Sequence, residues 1–293
     1  MSPRAARRRL LLAGSSAALC AWLQPARAAA AAEGGAAPRL LRFTLGFSNP
    51  GGEALADQVL WLYAPMADTP TQHLLRVDCA LPHTLSSDTL GHSVLRLPLP
   101  VLPPYATKLV PLAFEVAMRA EPQPSPLADP APWLKAERWI EVDDARVQAA
   151  AAPLRRATPA GTARAVYDEV RRRLQYAGYV ADDLGALQAL QQGRGDCTEY
   201  AGLAVALARA NGVPARRVGG YVTDGSAAPR AEDYHDWAEV HVDGAWRLLD
   251  AQKEHWRDPA QQYVAFRIYR DEAINPLGLA HRFRVDGRVR VRM

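Results

Sequence analysis

Between Arg39 and Met118 the apolar residues fall in short runs: "LLRFTLGFSN", "QVLWLYAP", "QHLLRVDCAL", "SVLRLPLP" and "TKLVPLAFEVAM". "PGGE", "ADTPT", "SSDTLGH" and "LPPYA" separate them, and each carries the Gly, Pro, Asn, Asp or Ser chemistry of a turn. No long segment with a 3.6-residue period interrupts them, so residues 36–120 are expected to form an all-β module, a sandwich of immunoglobulin-like size. A proline-rich connector follows at 121–133, "EPQPSPLADPAPW". Beyond it the period changes. "TPAGTARAVYDEVRRRLQY" sets Val166, Val170 and Leu174 four residues apart, with Thr158 as cap and Pro159 in the first turn, which predicts an amphipathic helix. "DCTEYAGLAVALARANG" predicts a second helix, opened by the capping box of Asp196 and Glu199 and stopped at Gly212. Residues 235–250 alternate on either side of Asp243-Gly244 and predict a β-hairpin with a two-residue loop. The tail from Ala265 reads as further strand with a turn at Asp286-Gly287, its alternating arginines forming an exposed face.

The chain has 293 residues, 49% of them apolar, and no interior run reaches the length of a membrane span. The first 28 residues stand apart. A basic start, a mildly apolar stretch from Leu10 to Leu23 and the small-x-small site Ala26-Arg27-Ala28 make an export signal. Its Arg7-Arg8-Arg9-Leu10-Leu11 pattern fits the twin-arginine variant. A lipid anchor at Cys20 is disfavoured because bulky Leu19 precedes it. Loss of the signal removes Arg4, Arg7, Arg8, Arg9 and Arg27 and no acids, leaving 30 basic against 31 acidic residues, a net charge of −1. That balance excludes a nucleic-acid footprint and a polybasic membrane patch. The expected location is the periplasm or the outside of the cell, with no stable membrane insertion once the signal is removed.

Cys79 and Cys197 remain in the mature chain. Cys79, inside "HLLRVDCALP", reads as a small buried strand residue. Cys197 follows an Arg-Gly-Asp tripeptide, but Asp196 already has work as a helix cap and is not displayed on a mobile loop. The cap places Cys197 in a first helical turn, where unpaired N–H groups and the helix dipole favour a thiolate. Asp196 and Glu199 oppose that effect, so a basic partner is needed. If Asp243 and Gly244 form the hairpin loop, Trp237 faces Asp250, and His235 and Asp250 become diagonal neighbours on one face, about 7–8 Å apart at the backbone and within side-chain reach. Thiol, imidazole and carboxylate are the components of a papain-type site. A cysteine, a histidine and an aspartate also occur in most chains of this length, and a non-catalytic binding or scaffold protein has the same composition.

Four sequence blocks distinguish these readings. Gly195-Asp196-Cys197, Gly212-Val213-Pro214-Ala215-Arg216, His235-Asp236-Trp237-Ala238-Glu239-Val240 and Trp246-Arg247-Leu248-Leu249-Asp250 come in the order of the transglutaminase-like superfamily core, which residues 134–252 resemble. Ala251-Gln252 departs from the Pro-Thr pair frequent after that aspartate. The resemblance implies an α+β fold: a papain-like transglutaminase core of helices packed on an antiparallel sheet over residues 134–293, preceded by the β-sandwich. It implies Cys197 as nucleophile, His235 as general base and acid, and Asp250 as the orienting group. The implied reaction is acyl transfer on a glutamine amide or peptide bond of a protein or peptide substrate, through a thioester resolved by water or by an amine. The oxyanion is expected on the Cys197 N–H and a further donor, for which Tyr176 is the candidate because it closes the preceding helix. No cofactor is implied, and no metal, since His235, His241 and Asp250 do not have the spacing of a closed zinc site. Trp237 is expected to be a cleft wall or core residue.

Overall fold

The computed structural model describes residues 38–179 and 183–293; the expected export signal and Cys20 lie outside the described residues. Alternation turns the first part of the chain into strands. β1 (Arg39–Ser48) buries Leu41, Phe43, Leu45 and Phe47, and β6 (Thr107–Met118) buries Val110, Leu112, Phe114, Val116 and Met118. With β2 (Val59–Ala64), β3 (Gln72–Cys79), β4 (Thr84–Ser87) and β5 (Ser93–Pro98) they supply two four-stranded sheets. Each sheet is completed from the far end of the chain. β14 (Phe283–Asp286) pairs with β2, and β15 (Arg290–Arg292) pairs with β1, giving strand orders β15-β1-β6-β3 and β14-β2-β5-β4.

The tail, expected with the catalytic part, is thus strand material of the sandwich. The reason is the edge that β1 and β2 would otherwise leave unpaired. Its arginines Arg284, Arg290 and Arg292 are exposed, as their alternation requires. Cys79 differs from expectation too: it ends β3, an edge strand, and is only partly buried.

The second layer begins with α1 (Ala145–Ala151) and α2 (Pro159–Arg173), where Thr158 accepts from the Gly161 N–H at 3.1 Å. A short parallel pair, β7 (Gln175–Tyr176) with β8 (Arg194–Gly195), brackets α3 (Ala186–Gln192) and leads into α4 (Cys197–Ala210). α4 is buried along its whole length from Glu199 to Arg209, because its sequence is apolar on every side. It packs on an antiparallel sheet of order β12-β11-β10-β9-β13, made of β9 (Ala215–Val222), β10 (Tyr234–Val242), β11 (Ala245–Asp250), β12 (His255–Trp256) and β13 (Tyr263–Ile268). The fold class is therefore α+β, with helices on an antiparallel sheet after an N-terminal β-sandwich. Ala238, Val240, Val242 and Leu249 face the helices. Trp237, Trp246, Leu248 and Tyr263 build a second core with Trp133.

The sandwich and the helical layer share polar and apolar contacts. Tyr221, Val264 and Phe266 of the five-stranded sheet sit in the sandwich core. Gln72, fully buried, donates to the Met66 and Ala265 carbonyls at 2.9 Å each and accepts from the Ala265 N–H at 2.7 Å. The connector is fastened down as well: Ser125 N–H bonds the Gly244 carbonyl at 2.9 Å, His241 Nε2 meets the Ser125 carbonyl at 2.8 Å, and Trp133 packs edge-on against Trp246. Among the described residues no helix is long and apolar enough to cross a membrane.

Candidate active site

Two sequence-local devices fix the mouth of α4. Asp196 accepts from the Thr198 N–H at 2.8 Å, while Glu199 accepts from the Asp196 N–H at 3.0 Å and from the Leu184 N–H at 3.0 Å. The return of Glu199 over the helix start requires glycine at 195, because a Cβ there would lie 2.3 Å from the Glu199 Cβ. The approach is pinned by the β7–β8 pair and by Tyr200, whose hydroxyl donates to the Leu174 carbonyl at 2.7 Å. Asp196 is 2% exposed, so the Arg-Gly-Asp tripeptide is not displayed.

Cys197 is consequently the first residue of α4, partly exposed, with a backbone N–H that lies in the unpaired first turn. The Asp236 N–H acts on its sulfur to lower the thiol pKa, which puts the sulfur near the peptide unit that follows His235. The hairpin has the expected register. Val242 faces Ala245 and Ala238 faces Leu249, and the loop residues Asp243 and Gly244 take φ of 52° and 74°, the left-handed pair of a type I′ turn. That register carries His235 Nε2 to 2.7 Å from Asp250 Oδ2, with both side chains buried.

The protonation states follow from the acceptor inventory. Asp250 Oδ1 accepts from the Gln252 and Lys253 N–H groups at 3.1 and 3.0 Å, and Oδ2 accepts from His235 and from the Tyr263 hydroxyl at 2.8 Å. Burial opposes its charge, but these bonds, led by His235, hold its carboxyl below the usual carboxylate range. An ionised carboxylate only accepts, so His235 Nε2 carries the proton and Nδ1 is left as the basic nitrogen of the neutral ring. Nδ1 has no hydrogen-bond partner among the described residues.

The surroundings of the thiol oppose its ionisation, in the direction expected of the acids at the helix mouth. Burial pushes the Cys197 thiol up, and the negative charges of Asp236, Asp196 and Asp250 push the same way, against the single lowering hydrogen bond from Asp236 N–H. Ionisation of the sulfur must therefore be paired with protonation of His235.

Tyr176 pairs in parallel register with Gly195 and is 59% exposed. Its phenol is pushed up by partial burial and then by the charge of Cys197 and Asp196. It lies in β7, past the end of α2 at Arg173, not in the helix itself. Trp237 is core, 1% exposed, and its ring stacks at 22° on that of His235 with centroids 6.4 Å apart.

Three residues near the site escaped sequence reading. Tyr263 and His255 extend the Asp250 hydrogen bonds, with Tyr263 Oη 2.7 Å from His255 Nδ1. Asp236 is buried beside Arg217, whose Nε stays 3.7 Å from Oδ2, and accepts from the Tyr269 hydroxyl at 2.9 Å. Burial outweighs these partners and pushes Asp236 up to about 6. Its folded pKa exceeds the unfolded value near 3.9, so the folded state binds the extra proton between about pH 4 and pH 6, and Asp236 removes stability as pH rises through that window. In urea titrations, Asp236→Asn should gain up to about 3 kcal/mol on wild type between pH 4 and pH 7. Parallel pH curves for the two proteins would rule this out.

A thiol at a helix mouth and a hydrogen-bonded histidine and carboxylate on the antiparallel sheet beneath that helix are the components of a papain-type site. Residues 148–251 match the model of the transglutaminase-like superfamily. A candidate cysteine protease from Cytophaga hutchinsonii has the same fold, with a TM-score of 0.60 at 18% identity over 88% of this chain and 89% of that one. The periplasmic domain of TgpA from Pseudomonas aeruginosa aligns at 16% identity with a TM-score of 0.40, covering 77% of this chain and 94% of that one. Red sea bream transglutaminase aligns at 12% identity and a TM-score of 0.30, over 77% of this chain and 50% of the fish enzyme. A search of curated proteins found no match.

Proposed function

We propose that the protein is an exported, cysteine-dependent acyl transferase acting on a protein or peptide amide, either a glutamine side chain or a peptide bond. His235 Nδ1 takes the Cys197 proton as the sulfur attacks the carbonyl, and Asp250 stabilises the imidazolium that forms. The S–C bond forms while the oxyanion is held by the Cys197 N–H, with Tyr176 as the second donor. His235 then gives its proton to the departing amine as the C–N bond breaks, leaving a thioester. Water or a second amine attacks the thioester as His235 takes the proton of that nucleophile, the S–C bond then breaks, and His235 returns the proton to the departing sulfur, restoring the thiol. The export signal in residues 1–28 supports a periplasmic or secreted location.

The observation that carries this reading is the buried 2.7 Å bond between His235 and Asp250, on the sheet that packs under the helix opened by Cys197. With the resting thiol pushed up by its surroundings, only proton transfer to His235 can make it reactive near neutral pH. Iodoacetamide labelling at pH 7 should therefore be at least about tenfold slower in His235→Ala than in wild type. Equal rates, both those of an ordinary thiol, would remove the basis of the reading. Incubation with a glutamine peptide and an amine donor then separates the outcomes by product mass: amine incorporation, peptide cleavage or loss of ammonia.

A further inference from the structure

We propose that Tyr263 and His255 are positioning residues that temper the pull of Asp250 on His235, so that the site is a relay of four side chains. The inference rests on the reading of Cys197, His235 and Asp250 given above and adds to it how readily His235 parts with its proton.

The geometry fixes the direction of every hydrogen in the relay. Asp250 Oδ2 accepts from both His235 Nε2 and the Tyr263 hydroxyl, at 2.7 and 2.8 Å. Tyr263 has one hydroxyl hydrogen and commits it to Asp250. The 2.7 Å contact between Tyr263 Oη and His255 Nδ1 must then run from His255 to Tyr263. The chain of donation is His255 to Tyr263 to Asp250, meeting His235 at the same oxygen. Polarisation along such a chain strengthens each bond, so His255 makes Tyr263 the better donor.

Two donors on one oxygen divide its electron density, and Oδ2 binds the His235 proton less firmly than a carboxylate serving His235 alone. That favours the step in which imidazolium protonates the departing amine. The phenol itself is pushed up by burial and by the Asp250 charge, so it stays protonated and serves only as a donor. Tertiary packing holds the relay. Tyr263 packs edge-on against Trp237, 3% exposed, and His255 is the register partner of Asp250 across β11 and β12. The charged or titratable groups around His235 are Cys197 from α4, Asp250 from β11, Tyr263 from β13, His255 from β12, and its own neighbour Asp236, with Lys253 beyond His255.

Tyr263→Phe removes one donor from Oδ2 and keeps the ring. Asp250 remains anchored through Oδ1 by two backbone N–H groups, so the carboxylate keeps its place and gains basicity. Followed by NMR through its ring protons, His235 should titrate about half a pH unit or more higher in Tyr263→Phe than in wild type. His255→Asn, which leaves the Tyr263 bond in place but unpolarised, should shift it the same way by less. An unmoved or lowered midpoint in Tyr263→Phe overturns the proposal; if that variant does not fold, an unmoved midpoint in His255→Asn does so. The reading of the site fails separately, when wild-type iodoacetamide labelling is insensitive to His235→Ala.

Discussion

Asp250→Asn should lower acyl transfer to the enzyme from p-nitrophenyl acetate by about four orders of magnitude, with the fold intact. The argument is one of hydrogens. Four donors converge on the Asp250 carboxylate, two on each oxygen. An amide that keeps its oxygen toward the Gln252 and Lys253 N–H groups must turn its NH2 toward His235 Nε2 and the Tyr263 hydroxyl, both donors. His235 escapes the conflict by moving its proton to Nδ1, the nitrogen that has to accept from Cys197. The thiol is still pushed up by burial and by the charges of Asp236 and Asp196, so without that acceptor it stays protonated at neutral pH. Burst amplitude and rate of p-nitrophenolate release check the prediction, with circular dichroism as the control for folding. A loss below tenfold would show that Asp250 does not set the tautomer. Because the folded pKa of Asp250 is depressed, its contribution to stability is complete above the unfolded value near 3.9 and is lost only as pH falls through the lower folded value. Any pH dependence of the burst between pH 5 and pH 8 therefore belongs to Cys197, His235 and their neighbours, not to Asp250.

What the sequence discloses about this site is what short-range rules control. A capping box is four consecutive residues, so Asp196 and Glu199 announce the helix mouth and the place of Cys197. A type I′ loop sets the register of its own hairpin, so Asp243-Gly244 was enough to bring His235 across to Asp250. Tyr263 is different. It reaches Asp250 from β13, at the other edge of the sheet beyond β9, and no local pattern encodes that strand order. The same holds for the tail, whose strands β14 and β15 cross most of the chain to cover β2 and β1. The extent to which the thiol is raised is set in the same way. The helix dipole is visible in eight residues of sequence, whereas the burial of Cys197 and its closeness to Asp236 and Asp250 exist only once α4 is laid on β10.

Gly220→Ala should destabilise the protein by about 3–5 kcal/mol, the range reserved for backbone clashes and broken buried networks. Gly220 sits in β9 between His235 of β10 and Ala265 of β13. An added Cβ would lie 2.0 Å from the Val264 carbonyl oxygen and 3.1 Å from the Trp237 ring. That carbonyl cannot retreat alone. It belongs to the same peptide unit as the Ala265 N–H, which Gln72 holds at 2.7 Å, and the next carbonyl, that of Ala265, is held by Gln72 and Met66 at 2.9 Å each. Relief therefore comes either by breaking the Gln72 network that joins β13 to the sandwich or by pushing β9 away from β13. The second route moves the strand opposite His235, so the variant should lose His235-dependent labelling of Cys197 even where it remains folded. Gly225→Ala is the matched control, since a Cβ there meets nothing within 4 Å, and it should stay within about 0.5 kcal/mol of wild type. Urea midpoints for the two variants decide the matter: equal midpoints would mean that β9 and β13 can separate at no cost, and that the Gln72 network does not hold the strand paired with His235.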